Sequence, residues 1–253
     1  MSTYAPSPEH AIDLSLAAAL QSALLPQSCP GNCEHQALAA RNRMCGSVGG
    51  DFYDFISVHD EQLVVIVGDV VGHGVRGALI MARIMGYLHS RPACLARPAE
   101  VIRHLNRMLI DLGDRSDSVL PVSLFYALFD APTGVSFFVN AGCPRPFLCD
   151  RQACYALHLG PRNLVLGVED YEPAEGCHTF TPGQRLVICT DGLADAVDEH
   201  RQPFGERRLH EMLHTLASEG PDRCAQGIFD AVAEFRGTAD QSDDETIVVI
   251  DRL

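Results

Sequence analysis

Residues 122–139 read VSLFYALFDAPTGVSFFV. Two β-rich runs, 122–129 and 135–139, flank Asp130-Ala131-Pro132-Thr133-Gly134, whose Asp, Pro and Gly suit a tight turn. The pair reads as an antiparallel hairpin. Upstream, residues 63–67 (LVVIV) form a continuous apolar run that ends at Gly68 and Asp69. Such a run reads as a strand buried on both faces, with a carboxylate at its C-terminal end. Downstream, residues 185–189 form another apolar strand, followed directly by Thr190-Asp191-Gly192. A last strand, 246–250, is preceded by Asp243 and Asp244. Helical periodicity marks 12–25, 78–89, 99–112, 206–217 and 223–235. Strands and helices do not alternate strictly, so a doubly wound parallel sheet is disfavoured. An α+β layered fold with antiparallel sheets fits the order of elements. No internal repeat, low-complexity tract or linker interrupts the chain, and one domain is expected to cover nearly all of it.

Two of the helices carry specific expectations. In 78–89, Leu79, Ile80, Arg83, Ile84 and Leu88 fall at helical steps; in 99–112, the apolar face is Val101, Ile102, Leu105, Met108 and Leu109. The first helix, 12–25, repeats Ile12, Leu16, Ala19, Leu20, Ala23 and Leu24, and Pro26 stops it. Read alone, that stripe packs on the molecule's own core slightly more readily than it docks a second subunit.

Composition narrows the function classes. The chain has 253 residues, 47% hydrophobic and 21% charged, with a formal net charge of −14. That length can bury a sizeable core without staples. A surface this acidic repels phosphate backbones, which argues against nucleic-acid binding and favours cations. No basic stretch precedes an apolar run near the N-terminus, and no apolar run approaches the roughly 18 residues of a membrane span. The reading is a cytoplasmic protein whose ten cysteines stay reduced. Cys29, Cys33 and His35 lack a second ligand pair at a zinc spacing, so free thiols are expected there.

Aspartates stand beside glycine at Gly50-Asp51, Gly68-Asp69 and Asp191-Gly192, and Asp243-Asp244 sits before the last strand. A lone Asp-Gly pair is a turn former. Several at strand ends can converge on one point while lying far apart in sequence, and Mg²⁺ and Mn²⁺ prefer such oxygen ligands. Glycine beside each lets the backbone approach closely. The chain contains no GxxxxGK[ST] loop, no G-x-S-x-G elbow, no H-E-x-x-H helix and no C-x5-R loop. His73, between two glycines after Asp69, reads equally as a general acid or as an exposed loop residue.

These sites also carry a family resemblance. SVGGDFYDF (47–55) and GDVVGHGVRGALIMA (68–82) resemble the first two motifs of the SpoIIE/RsbU branch of PPM-type, protein phosphatase 2C-like enzymes. FFVNAGCPRPFL (137–148), PGQRLVICTDGLADA (182–196), FGERRL (204–209) and SDDETIVVI (242–250) resemble the later ones, in order. LQSALLP (20–26) is similar to the helix end that leads into this domain. The resemblance implies a four-layer α-β-β-α sandwich of two antiparallel sheets flanked by helices. It implies residues 31–253 as the phosphatase domain and 1–30 as an N-terminal helical segment, a dimerisation and switch element.

Carried over residue by residue, it implies two Mn²⁺ or Mg²⁺ ions. Asp51 holds one, Asp69 bridges both with the Val70 carbonyl beside it, and Asp191 and Asp243 hold the other. Asp54 and Asp244 become supporting groups. The implied activity is a metal-dependent protein serine/threonine phosphatase using metal-activated water, with no covalent phospho-enzyme. The implied substrate is a phosphorylated regulatory protein, often an anti-sigma factor antagonist of the STAS type. Cys143 stands for the motif histidine, Arg145 interrupts a proline pair, Gln184 replaces an aspartate, Cys189 a tyrosine and Asp195 a glutamate. None of these removes an expected ligand. Two alternatives remain open from the residues: a catalytically weak phosphoprotein-binding regulator, and a hydrolase of small phosphate esters. No sensor segment is recognised ahead of the domain, so a partner, self-association or metal supply is the expected control.

Overall fold

The computed structural model describes residues 8–26, 35–59, 61–72, 74–91, 94–150, 154–156 and 162–253. His73, Cys29 and Cys33 lie outside the described residues. The expected hairpin forms: β4 (Val122–Asp130) and β5 (Val135–Ala141) pair antiparallel, Phe125 opposite Asn140. The LVVIV run lies in β3 (Gln62–Val70), paired on one side with β4 and on the other with β2 (Phe52–His59). β8 (Arg162–Asn163) runs parallel to β5, and β9 (Gly176–Thr179) pairs antiparallel with β5. The resulting sheet has the order β2-β3-β4-β5-β8.

A second sheet has the order β1-β11-β10-β6-β7, made of β1 (Gln36–Arg43), β6 (Phe147–Cys149), β7 (Cys154–Ala156), β10 (Arg185–Cys189) and β11 (Glu245–Arg252). Its strands alternate their apolar cargo. Val248, Ile250, Leu186 and Ile188 join the core shared with β3 and β4. Ile247, Val249 and Val187 face the other way, against Leu209 and Leu213 of α4 (Gly205–Thr215) and Ile228 and Val232 of α5 (Pro221–Arg236). α2 (Val75–Ser90) and α3 (Pro98–Ser116) pack against the β2–β5 sheet. Two mostly antiparallel sheets are thus sandwiched between helices, as the resemblance implied. Both faces of each sheet are covered, which explains why the strands read as unbroken apolar runs.

α3 runs past the expected 99–112 and buries Val101, Ile102, Leu105 and Leu109, with Met108 at the margin. In α2 the buried face is Ile80, Met81, Ile84, Met85 and Leu88, while Leu79 points to solvent. α1 (Pro8–Leu24) reverses the core-packing expectation more completely. Ile12, Leu16, Leu20 and Leu24 are exposed, and the residues turned inward at its end are Gln21 and Leu25. Periodicity locates a stripe but not the side it faces; a buried hydrogen-bond partner for Gln21 sets the rotation instead. The expectation of reduced thiols throughout also fails at one position. Cys149 is disulfide-bonded. Cys149 lies on β6, opposite residue 154 in the β6–β7 register. Among the described residues no helix is long and apolar enough to cross a membrane.

Candidate active site

Strand register brings the site together. Phe52 pairs with Gly68, so Asp51 and Asp69 stand level at one end of the β2–β3 ladder. In the other sheet Cys189 pairs with Ile247, and the ladder is continued by Thr190 N–H donating to the Thr246 carbonyl at 3.1 Å. Asp191 and the Asp243-Asp244 pair leave from that same end. The two sheets are pinned there by Asp51. Its Oδ2 accepts from Thr190 Oγ1 at 2.7 Å and from Thr246 Oγ1 at 2.6 Å.

Asp243 and Asp244, adjacent in sequence, do different work. Asp244 is buried, and both of its oxygens accept from backbone N–H groups. Cys45 donates to Oδ1 at 2.7 Å and Gly50 to Oδ2 at 2.7 Å. Asp243 is exposed, and its Oδ1 accepts from the Asp244 N–H at 2.9 Å. Asp191 is also exposed and opens a short 3-10 turn, Asp191–Leu193. A side chain at Gly192 would collide with the Asp244 carbonyl, so glycine there is a requirement of the close approach between the two loops.

Electrostatics show that the four predicted carboxylates share one small region. Burial pushes the Asp69 carboxyl up to about 7, aided by the charges of Asp191, Asp243 and Asp244, while a hydrogen bond with Asp51 pulls the other way. Asp51 is raised well above the usual range, by burial first and then by Asp69 and Asp244, against the two threonine hydroxyls. Asp191 is raised by burial and by Asp243 and Asp195. The charges that act most strongly on all three are those of other carboxylates. A cluster of hard oxygen donors that repel one another fits a divalent cation by the chemistry of its donors. Among the described residues no three such side chains close into a ready-made cage.

Other sequence candidates fall elsewhere or in support. The Val70 residue is buried at the end of β3, and its N–H donates to the Gly50 carbonyl at 3.4 Å. Asp54 is not brought to the cluster. It is buried against α2, with Oδ2 at 2.7 Å from His89 Nε2 and Oδ1 accepting from the Phe55 N–H. Cys143, where the motif places histidine, is wholly buried, its Sγ 3.4 Å from Ser123 Oγ. Burial first, then the nearby aspartates, push its thiol up to about 12, so it is a neutral packing group. Sequence reasoning missed Thr190 and Thr246. The available signal was a hydroxyl placed inside two otherwise apolar strand ends, next to Asp191 and after Asp243-Asp244.

The raised carboxyls carry a pH prediction. An Asp whose folded pKa exceeds its unfolded value binds more protons folded than unfolded, so stability falls as pH rises from the ordinary carboxylate range, 3.8, to about 7. Metal-free protein is expected to melt at a higher temperature at about pH 6 than at about pH 8. The difference should shrink in Asp69→Asn. Equal pH dependence in the two proteins, followed by scanning calorimetry in EDTA, would contradict the account of Asp69.

Comparison with known proteins agrees with this fold. The family model for stage II sporulation protein E (SpoIIE) matches residues 59–253. The chain is 24% identical over 244 residues to phosphoserine phosphatase RsbU of Bacillus subtilis (strain 168), covering 95% of this chain and 70% of RsbU. The SiaA-PP2C domain of Pseudomonas aeruginosa superposes with a TM-score of 0.82 at 26% identity, covering 97% of each chain. The catalytic domain of the serine threonine protein phosphatase PstP, solved with 2 manganese ions, shares the fold at a TM-score of 0.62 and 17% identity, over 86% of this chain and 98% of that one. The chain belongs to the SpoIIE family of PP2C-type phosphatase domains.

Proposed function

We propose that this phosphatase removes phosphate from phosphoserine or phosphothreonine on a regulatory protein. Two Mn²⁺ or Mg²⁺ ions would be held by Asp51, Asp69, the Val70 carbonyl, Asp191 and Asp243. The observation that carries the reading is the convergence of carboxylates from both sheets close enough to raise one another's pKa. When bound, such ions supply an acidified water and stabilise charge developing on the phosphoryl oxygens. The chain's own residues set the geometry. Thr190 and Thr246 fix one oxygen of Asp51 and keep that carboxyl oriented. Asp244 ties residues 45–51 to β11 through backbone N–H groups, leaving Asp243 free toward solvent. No side chain is placed as a nucleophile; buried Cys143 is held as a neutral thiol, which disfavours a covalent route.

The resemblance points to a STAS-type protein as the substrate. RsbU and RsbP of Bacillus subtilis (strain 168) are both named phosphoserine phosphatases, and the chain spans 70% and 49% of their lengths. Steady-state hydrolysis of a phosphoserine STAS protein should exceed that of a nucleoside monophosphate by orders of magnitude in kcat/KM. The reverse preference would favour a small-ester hydrolase. Division into 1–30 and 31–253 belongs to the same proposal, with α1 seated on the domain through Gln21 and Leu25.

Self-association through α1 is supported by its outward stripe, in which Ile12 is 60%, Leu16 59% and Leu20 70% exposed. The double variant Leu16→Glu/Leu20→Glu is expected to sediment as a monomer where the wild type sediments as a dimer. A monomeric wild type would end that part of the reading.

A further inference from the structure

The loop that carries Asp51 is held from behind by a side chain of α1, within the LQSALLP stretch. Gly49 precedes Gly50 and Asp51, and all three are buried. A buried backbone N–H and C=O must each find a partner. For Gly49 both are supplied by one residue of α1. Gln21 Nε2 donates to the Gly49 carbonyl at 2.8 Å, and the Gly49 N–H donates to Gln21 Oε1 at 3.0 Å. Gln21 is only 6% exposed, an unusual site for an amide unless both of its ends are satisfied. On the other side of the same loop, Asp244 Oδ2 accepts from Gly50 N–H at 2.7 Å and from Asp51 N–H at 3.4 Å. A side chain at Gly49 would collide with Asp244, so the loop is gripped between Gln21 and Asp244 with no slack.

We infer that Gln21 is a positioning residue for metal binding: its two hydrogen bonds fix the Gly49–Asp51 backbone so that Asp51 meets Asp69 and the threonine hydroxyls. The inference rests on the phosphatase reading of the cluster and adds a residue of α1 to its machinery. Removing the amide leaves two buried backbone groups unpaired. The loop then relaxes toward water or another partner, carrying Asp51 with it. Groups that orient metal ligands typically govern affinity by 10- to 100-fold. Gln21 touches neither the reacting atoms nor the ligand oxygens, so its effect should fall on metal affinity and spare turnover once metal saturates.

The test is calorimetric titration of Mn²⁺ into EDTA-stripped full chain, paired with p-nitrophenyl phosphate kinetics at saturating Mn²⁺. Gln21→Ala is expected to raise the Kd for Mn²⁺ by about ten-fold while kcat stays within about two-fold. Gln21→Glu retains the acceptor for the Gly49 N–H and loses the donor to its carbonyl; it should also weaken binding, and it serves if Gln21→Ala does not fold. Arg185→Met is the stability control. It removes an ion pair with Asp251, Nε to Oδ1 at 2.5 Å, at the opposite end of β10 from Asp191. It should lower the melting temperature and leave the Mn²⁺ Kd unchanged. Unchanged Mn²⁺ affinity in folded Gln21 variants, or a kcat loss with unchanged affinity, overturns the inference and leaves the phosphatase reading standing. A wild type that takes up no Mn²⁺ overturns both.

Discussion

Asp69→Asn is expected to abolish nearly all phosphatase activity and most metal binding in a protein that still folds. The carboxyl stands level with Asp51 across the β2–β3 ladder and feels the charges of Asp191, Asp243 and Asp244. Of the cluster it feels the most carboxylates from the other sheet. Replacing it by the neutral amide removes one charge from the donor set and relieves the repulsion that raises its neighbours. Metal-free Asp69→Asn should therefore be at least as stable as wild type above about pH 7, while binding Mn²⁺ far more weakly. Loss of function with retained or increased stability is the signature of a binding group. Asp198→Asn provides the comparison. Asp198 accepts from the His200 and Gln202 N–H groups, each at 2.8 Å, in a surface turn. Its loss should leave activity close to wild type. Unchanged turnover in Asp69→Asn would rule out its place at the centre of the site.

The largest expected effect on stability lies at Arg236→Ala. Glu245 opens β11 immediately after Asp243-Asp244 and is 1% exposed. Its Oε1 accepts from Arg236 Nη2 at the end of α5, and Arg43 Nη1 lies 3.5 Å from Oε2. Burial raises the Glu245 carboxyl, and Arg236 and Arg43 pull it back. Deleting Arg236 strands a buried carboxylate, which costs about 3–5 kcal/mol. Replacing the pair together, Arg236→Met with Glu245→Leu, should recover much of that loss, because a buried pair is worth little more than well-packed apolar groups. Chemical denaturation of the two single variants and the double variant reads this directly. A single-variant loss below about 1 kcal/mol would mean that the pair is solvated and not a buttress for β11. Because the same strand start carries the Asp243-Asp244 loop, Arg236→Ala should also weaken metal binding.

Some of this architecture could be read directly from residue order. β3 and the β4–β5 hairpin were legible because buried strands between covered faces are apolar without interruption and because Asp-Ala-Pro-Thr-Gly has the chemistry of a turn. β1 was not, since QALAARNR lies at a sheet edge and carries partly exposed polar side chains that mimic a loop. β6 to β9 are 2 to 4 residues long and leave no periodic trace. The stripe on α1 was found with its side left open, and it faces outward because a buried glutamine amide can outweigh leucines in orienting a helix when backbone groups need it.

At the site, Asp-Gly pairs at strand ends marked Asp51, Asp69 and Asp191, and the family resemblance preferred Asp243 to Asp244. In the structure Asp244 is consumed by backbone N–H groups, and Asp243 is exposed. The partners of Gln21 and of the Thr190 and Thr246 hydroxyls were invisible for a common reason. Each acts across 28 to about 195 residues of sequence separation, and no local pattern encodes such a contact.

A metal-loaded aspartate cluster that hydrolyses phosphomonoesters has a simple readout: hydrolysis of p-nitrophenyl phosphate by wild type and Asp191→Asn, each in EDTA, in Mg²⁺ and in Mn²⁺. Wild type is expected to turn over only with added metal, and Asp191→Asn to lose that turnover. Equal turnover in EDTA and in metal, or an Asp191→Asn variant as active as wild type, would contradict it.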